Sequence, residues 1–181
     1  MQSGIEIVAE DLGTVPPFVR LSMAELGVPG FKVMRWERDW DAVGQPFIDP
    51  SVYPAVSVAL AGTNDNETLA EWWRELADGD RAAFLSLPSL AAAGITAVSP
   101  FQPEVRDAIL RALIDSASCM VMLPLQDVFG WAARINTPAT VTDQNWTWQV
   151  APSMDHWRTS PDWIERAATL KAWCLASGRH L

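Results

Sequence analysis

The chain has 181 residues, of which 49% are apolar and 19% are charged, and this composition excludes a disordered or fibrous protein. Its formal net charge of −9 would repel a phosphate backbone, so we do not expect nucleic acid as a partner. No run of about 18 apolar residues occurs, and no basic flank precedes an apolar run at the start, so we expect neither a membrane span nor a signal peptide.

The first half of the chain predicts alternating strands and helices. The β-branched segment 5–9 predicts a buried strand, and two prolines then open a predicted helix over residues 16–26, since proline is tolerated in a first helical turn. Apolar segments bounded by turn residues predict further strands over 31–37 and 55–61. A second helix is predicted directly after Asn66, which we interpret as its N-cap.

The second half continues the same alternation. Three prolines and a glycine in residues 88–103 predict a loop with a short strand over 95–98. Pro103 then opens a helix with apolar residues at helical spacing. The chain continues with a predicted strand over 119–125, an irregular tryptophan-rich segment over 134–160 and a last helix over 161–177.

Cysteine and histidine are scarce in this chain. Cys119 and Cys174 form no CxxC pair, and the histidines are His156 and His180 alone. Two distant cysteines are typical of a protein from a reducing compartment. We therefore expect no metal, no cofactor and a cytoplasmic location.

The order strand, helix, strand, then strand, helix and strand, with continuous apolar strands, predicts an α/β fold, in which helices cover a parallel sheet in a single domain over 1–181. No glycine-rich phosphate-binding fingerprint follows any strand, so a nucleotide site is not predicted. Polar residues instead follow the carboxyl end of each strand, where a (β/α)8 barrel has its active site. Because such a barrel needs eight strands and about 250 residues, the pattern predicts half of a (β/α)8 barrel.

Carboxylates follow three of the predicted strands. Glu10 and Asp11 follow the first strand, Asp65 follows the third and Asp127 follows the fourth. At one edge of a sheet, burial can raise the pKa of one carboxyl group while another stays ionised, which is the division of roles that glycosidic bond cleavage requires. The alternative is that Asp11 and Asn66 only cap helix N-termini. The residues alone leave both interpretations open.

Four groups of motifs occur in the order and spacing of one enzyme family. They are Ala9-Glu-Asp-Leu-Gly13, Val28-Pro-Gly-Phe-Lys-Val-Met34, Gly62-Thr-Asn-Asp-Asn66, and Leu125-Gln-Asp-Val-Phe-Gly130 with Arg134-Ile-Asn-Thr-Pro138 and Asn145-Trp-Thr-Trp148. Together they resemble the C-terminal half of 4-alpha-glucanotransferase, the amylomaltase or disproportionating enzyme family, glycoside hydrolase family 77. The resemblance covers nearly the whole chain and implies the second half of the (β/α)8 barrel.

The resemblance also implies an activity and partners. The family transfers 1,4-alpha-glucan segments between maltooligosaccharides by a retaining mechanism. The implied substrate is a maltooligosaccharide or starch-type alpha-glucan, and the implied partner is the missing N-terminal half of the barrel. Two alternatives remain. One is a noncatalytic sugar-binding or interaction fragment. The other is an alpha-amylase-like glycoside hydrolase, since hydrolysis and transfer differ only in whether water or a sugar hydroxyl reaches the acid/base.

By the same resemblance, two carboxylates have catalytic roles. Glu10 is the general acid/base, which protonates the leaving glycosidic oxygen and then activates the acceptor hydroxyl. Asp65 is the third family carboxylate, which stabilises the oxocarbenium-like transition state. The family nucleophile is an aspartate at the tip of an earlier strand, and no residue before Glu10 matches it. We therefore expect the chain alone to be inactive.

Other positions are implied to bind substrate or support the site. Asn64 occupies the position of a family histidine and can hydrogen-bond a sugar hydroxyl without carrying positive charge. Ala139 replaces a glycine that is common in the family loop. The remaining implied contacts are Asp11, Gln126, Asp127, Arg134 and Asn136. For Asp127 and Arg134, an equally favoured alternative is a buried structural pair without contact to substrate.

Tryptophan is abundant, with ten residues beside a single tyrosine. Indole rings stack on sugars, but tryptophan is also a common core and interface residue, and we favour the core. We expect Trp146 and Trp148 to pack their loop against the barrel.

Overall fold

The computed structural model describes residues 6–150 and 153–179, and at its centre lies a parallel sheet. Strand β1 (Gly30–Val33) pairs with β2 (Ser57–Leu60), which pairs with β3 (Met120–Met122), so the order in the sheet is the order in the chain. In register, Val33 lies opposite Leu60 and Val58 lies opposite Met120. The prediction of an α/β fold with a parallel sheet is confirmed.

The predicted strand over residues 5–9 is reduced to one bridge. Ala9 forms an isolated parallel bridge with Gly30 at the outer side of β1, and the Ala9 N–H donates to the Pro29 carbonyl oxygen at 3.0 Å. Ile5 lies outside the described residues. The described part therefore has three strands rather than the predicted four, because only Ala9 finds a partner for the ladder that a strand requires.

The α-helices of the described residues lie before β1, between β2 and β3, and after β3. They are α1 (Pro17–Leu26), α2 (Leu69–Glu75), α3 (Asp78–Leu85), α4 (Pro88–Ala91), α5 (Pro103–Ile114), α6 (Leu125–Phe129), α7 (Met154–Thr159) and α8 (Pro161–Ala176). The four predicted helices are confirmed as α1, α2, α5 and α8. Each of α1, α5 and α8 begins with proline in its first turn, as the sequence predicts.

The N-cap of α2 is Thr68, so the prediction of Asn66 is wrong. Thr68 and Glu71 form a capping box, in which the Glu71 carboxylate accepts from the Thr68 N–H at 3.0 Å and the Thr68 hydroxyl accepts from the Glu71 N–H at 3.4 Å. The Asn66 side chain instead accepts from the Thr63 N–H at 2.6 Å. Asn66 therefore closes the turn before the helix.

Four other predictions differ from the structure. The strand predicted over 31–37 ends at Val33, where the Trp36 N–H donates to the Val33 carbonyl oxygen in a turn. Residues 88–103 contain α4, in which Pro88 starts a helical turn, and no strand over 95–98. The predicted strand over 119–125 ends at Met122, since Pro124 has no N–H for a ladder and becomes the N-cap of α6. The segment predicted to be irregular contains α7.

Alternate side chains of β2 enter two different apolar clusters. Ala59 contacts the larger cluster, in which Trp72, Trp73 and Phe84 are buried and the Trp72 and Phe84 rings meet edge to face at 5.0 Å. Val58 and Leu60 contact a smaller cluster on the opposite face, with Val33 and partly buried neighbours from β1 and β3. The helix-covered face of the sheet therefore holds most of the core.

The apolar side chains of α1 remain outside this core. Phe18, Leu21 and Leu26 are 66%, 65% and 76% exposed, and no residue of the helix is buried. Among the described residues, no helix has both the length and the apolar character that crossing a bilayer requires.

Candidate active site

A cavity of about 490 Å³ lies at the carboxyl ends of β2 and β3, beside Phe31 of β1. Its walls come from the segments that follow β2 and β3, together with Glu10, Arg134 and Trp148. This edge of a parallel sheet is where (β/α)8 barrels and open α/β folds form their binding sites. The predicted site residues can therefore be located relative to this cavity.

Glu10 is exposed and lines the cavity. It directly follows Ala9, whose bridge to Gly30 fixes the backbone beside β1. The loop after β2 supplies Asn64 to the same cavity. The acid/base candidate therefore shares this cavity with Asn64, whereas Asp65 and Asn136 are not among the residues that line it.

The carboxylate of Asp65 is oriented by two amide side chains. Its Oδ1 accepts hydrogen bonds from Asn64 Nδ2 and from Asn136 Nδ2, both at 2.7 Å. Arg134 donates from Nη2 to the Asp65 carbonyl oxygen at 2.8 Å and from Nε to the Asn136 carbonyl oxygen at 2.6 Å. The structure thus joins four of the predicted site residues in one network.

The loop that carries Asp65 folds into a tight turn after β2. The Asn66 carboxamide oxygen accepts from the Thr63 N–H at 2.6 Å and from the Thr63 hydroxyl at 3.1 Å. At Gly62, an added Cβ would lie 3.1 Å from Arg35 Nη2 and 3.2 Å from Asn66 Nδ2. This close approach explains the glycine that begins the motif.

Asp127 lies in the first turn of α6 and is 2% exposed. Its Oδ1 accepts from the Leu69 N–H at 2.7 Å and so connects α6 to the start of α2. Burial raises the pKa of Asp127 to about 6, while the Leu69 N–H and the charge of Arg35 act in the opposite direction. Asp127 is thus a buried carboxyl group in the cavity wall.

Arg134 does not form the structural pair with Asp127 that the sequence left open. Its described partners are Asp65, Asn136 and, at 3.9 Å, the carboxylate of Glu67. The charged groups that act on Asp127 are Arg35, which lowers its pKa, and Glu71, which raises it. Arg134 therefore supports the loop around Asp65.

Gln126 lines the cavity, whereas Asp11 does not. Gln126 is buried and donates from Nε2 to the Ala133 carbonyl oxygen at 3.3 Å. The Asp11 carboxylate accepts from the Phe31 N–H at 2.8 Å and lies 3.3 Å from Arg20 Nε, in a different cavity. These contacts hold Asp11 at the edge of β1 and connect it to α1, and substrate contact by Asp11 stays a prediction.

The sequence did not point to Arg35 and Glu67. Arg35 is buried after β1 and donates from Nε to the Ala61 carbonyl oxygen at 3.1 Å and from Nη1 to the Glu67 carbonyl and carboxylate oxygens at 2.7 and 3.1 Å. Burial lowers the pKa of Arg35, and the charges of Asp127 and Glu67 oppose that change. The available signal was an arginine within a predicted buried strand, which needs a charged partner.

The loop over 134–150 shows three further features. Ala139 has φ of 59°, in the left-handed region that favours glycine. Trp148 lines the cavity, with its ring centroid 6.4 Å from that of Trp131. Trp146 is 63% exposed, so the expectation that it packs against the barrel is wrong. In the described part of the chain, no group of His, Cys, Asp and Glu could hold a metal ion.

The family model described as 4-alpha-glucanotransferase matches residues 1–155. The chain belongs to this family, glycoside hydrolase family 77. Among 4-alpha-glucanotransferases, it is 34% identical over 158 residues to that of Chlamydia muridarum and 33% identical over 179 residues to that of Thermus thermophilus. These alignments cover 82% and 97% of this chain but only 29% and 33% of the two relatives.

Solved structures of the family show the same fold. An amylomaltase from Streptococcus agalactiae in complex with acarbose matches 97% of this chain at 26% identity with a TM-score of 0.73. The chain covers 32% of that structure. The family prediction is confirmed, and the chain spans about a third of the 4-alpha-glucanotransferases and amylomaltases that it matches. Its parallel sheet and helices fit a fragment of a (β/α)8 barrel.

Proposed function

We propose that the chain supplies the acid/base and the transition-state-stabilising carboxylate of a 4-alpha-glucanotransferase. The observation that carries this proposal is the cavity at the carboxyl ends of the strands, which Glu10 and the loop around Asp65 share. Family membership gives the reaction class, the transfer of 1,4-alpha-glucan segments.

In this mechanism, Glu10 first protonates the glycosidic oxygen that leaves and then removes a proton from the acceptor hydroxyl. Asp65 stabilises positive charge on the sugar ring in the oxocarbenium-like transition state. Asn64 and Asn136 both donate to Asp65 Oδ1, so Oδ2 is the oxygen available to sugar hydroxyls.

The nucleophile of the retaining reaction comes from outside the chain. Such a nucleophile lies about 5 to 5.5 Å from the acid. The other carboxylates that line the cavity are Glu67 and Asp127. Glu67 lies between Arg35 and Arg134, and Asp127 is 2% exposed and accepts from the Leu69 N–H. Both carboxylates are therefore committed to structural contacts.

We further propose that the chain forms half of a (β/α)8 barrel in a single domain. In support, the strands are parallel and ordered as in the sequence, which is the arrangement of successive barrel strands. The exposed apolar side chains of α1 and the small cluster on the inner face of the sheet have room for further packing. The remaining strands belong to a longer polypeptide or a partner chain.

We propose a maltooligosaccharide or starch-type alpha-glucan as the substrate. The amide groups of Asn64 and Gln126 and the indole of Trp148 line the cavity, and these groups suit hydroxyl-rich sugar rings. The related amylomaltase from Streptococcus agalactiae was solved with acarbose, which supports a sugar ligand at this fold.

A chimera tests the proposed function. The region of the Streptococcus agalactiae amylomaltase that matches this chain is replaced by the chain, and the product is incubated with maltotriose. We expect both longer and shorter oligomers from the chimera and none from the chain alone. Shorter oligomers only would indicate an alpha-amylase-like hydrolase, and a folded but inactive chimera would contradict the proposal.

A further inference from the structure

The carboxylate of Glu67 lies between two guanidinium groups. Arg35 donates from Nη1 to Glu67 Oε1 at 3.1 Å, and Arg134 Nη1 lies 3.9 Å from Glu67 Oε2. Each carboxylate oxygen thus faces a different arginine. Glu67 is also in the wall of the cavity.

The two arginines belong to different parts of the fold. Arg35 follows β1, its side chain is 1% exposed, and the Ala61 carbonyl oxygen at 3.1 Å holds it at the end of β2. Arg134 lies in the loop after α6, with a side chain that is 29% exposed. Their like charges repel, and Arg134 is among the groups that lower the pKa of Arg35, after burial. The negative charge of Glu67 compensates this repulsion.

Arg134 in turn determines the surroundings of Asp65. It donates to the Asp65 carbonyl oxygen at 2.8 Å and to the Asn136 carbonyl oxygen at 2.6 Å. Asn136 donates to Asp65 Oδ1 at 2.7 Å. A displacement of Arg134 would therefore remove one of the two amide donors that orient the Asp65 carboxylate.

We propose that Glu67 is a positioning residue, whose charge holds Arg134 and residues 134–136 in place so that Asn136 orients Asp65. Glu67 is not needed to cap α2, since Thr68 and Glu71 form that cap. The inference rests on the proposed function only for the importance of Asp65, because the contacts themselves are independent of any reaction.

Amide hydrogen exchange in the 181-residue chain tests this placement directly. Two N–H groups report on the loop: Trp146 donates to the Ile135 carbonyl oxygen at 2.9 Å, and Thr137 donates to Asn145 Oδ1 at 3.0 Å. In Glu67→Gln, both amides should exchange about threefold faster or more, since the neutral amide still accepts from Arg35 but no longer attracts Arg134. The Met34 N–H, which donates to the Leu60 carbonyl oxygen at 3.0 Å, should exchange at an unchanged rate.

Glu75→Gln is the matched control, because Glu75 is an exposed residue of α2 that undergoes the same chemical change. It should leave the exchange of Trp146, Thr137 and Met34 unaltered. Unchanged exchange at Trp146 and Thr137 in Glu67→Gln would overturn the proposal. An equal acceleration at Met34 would also overturn it, since it would show general destabilisation.

A salt series on the unmodified chain tests the same electrostatic role of Glu67 and does not depend on the folding of a variant. Between about 0.05 M and about 1 M NaCl the Debye length falls to about 3 Å, so partly exposed ion pairs are screened. Exchange at Trp146 and Thr137 should accelerate over this range, while that at Met34 should not. Exchange rates at Trp146 and Thr137 that do not change with salt would contradict the electrostatic role of Glu67.

In the chimera, Glu67→Gln should lower kcat for maltotriose roughly ten- to a hundredfold, as misplacement of a catalytic group does, and should leave KM within about twofold. A change in KM alone would overturn the positioning role. An inactive chimera would contradict the proposed function but not the exchange result, so the two failures are distinguishable.

Discussion

Two amide side chains determine how the carboxylate of Asp65 is oriented. Asn64 is its neighbour in the chain, and Asn136 comes from a distant loop, and both donate to the same oxygen at 2.7 Å. Neither donor carries charge, so the pair orients the carboxylate without neutralising it. This arrangement is compatible with the role that we propose for Asp65.

Asn64→His tests whether this position accepts a group that can carry charge. An imidazole can donate to Asp65 Oδ1 as the amide does, and when protonated it gives a stronger, charge-assisted hydrogen bond. In the chimera we expect Asn64→His to hold or raise kcat with maltotriose, measured by product chromatography. A large drop in kcat would show that the loop requires asparagine at position 64 and does not accept histidine.

Asp127→Asn tests the buried carboxyl group through the pH dependence of folding. The pKa of Asp127 is raised from 3.8 to about 6 in the folded chain, so between these values the folded state binds a proton that the unfolded state has lost. The contribution of this group to the free energy of unfolding therefore falls as pH rises from about 4 to about 6, by roughly 2 to 3 kcal/mol at about 1.4 kcal/mol per pKa unit.

The asparagine variant cannot ionise and should lack this fall. Urea unfolding gives the free energy of unfolding of Asp127→Asn and of the unmodified chain at about pH 4 and about pH 7. The difference between the two proteins is then compared at the two pH values. Relative to the unmodified chain, Asp127→Asn should be more stable at the higher pH than at the lower. A stability difference that is the same at both pH values would contradict a buried, pKa-shifted carboxyl group.

The parallel strands and the helices α1, α2, α5 and α8 could be predicted from the sequence, whereas α3, α4, α6 and α7 could not. The helices α5 and α8 span three turns or more and so repeat their apolar pattern. By contrast, α4 and α6 have four and five residues, too few for a 3.6-residue period to emerge. Pro88, which we interpreted as a loop signal, begins α4, and Pro124, which we placed in a predicted strand, caps α6.

The same limit applies to the site. Glu10, Asn64 and Asp65 follow strands directly, so their shared edge could be predicted from chain order. The bond between Asn136 and Asp65 joins residues 71 positions apart, and only the motif resemblance suggested that the two belong to one site. The ion pair of Arg35 and Glu67 joins the end of β1 to the start of α2. Only the folded structure brings these two residues together.

The capping box of α2 should stabilise the start of this helix. Glu71 accepts from the Thr68 N–H at 3.0 Å, whereas Glu75 is exposed on the same helix. Glu71→Ala should lower the free energy of unfolding by about 0.5 to 1 kcal/mol, and the matched Glu75→Ala should change it by less than about 0.5 kcal/mol. Equal losses in urea unfolding would contradict the role of the cap.

For the whole molecule, the apolar side chains of α1 predict self-association of the isolated chain. Phe18, Leu21 and Leu26 are each more than 60% exposed, and exposed apolar patches of this kind mark interaction surfaces. Light scattering should show dimers or larger species, reduced in Leu21→Ser but not in the control Glu25→Ser on the same helix. A monodisperse monomer at high concentration would count against an incomplete barrel.

We propose that Glu10 of this chain is the acid/base of a barrel completed by other strands. In the chimera, Glu10→Gln keeps the shape of the side chain and removes its proton. Turnover of maltooligosaccharides should fall by roughly 10² to 10⁴, the contribution typical of general acid/base catalysis. With α-glucosyl fluoride as the donor, glycosylation should fall much less, because fluoride needs little protonation to leave. An equal loss with both donors would contradict the assignment.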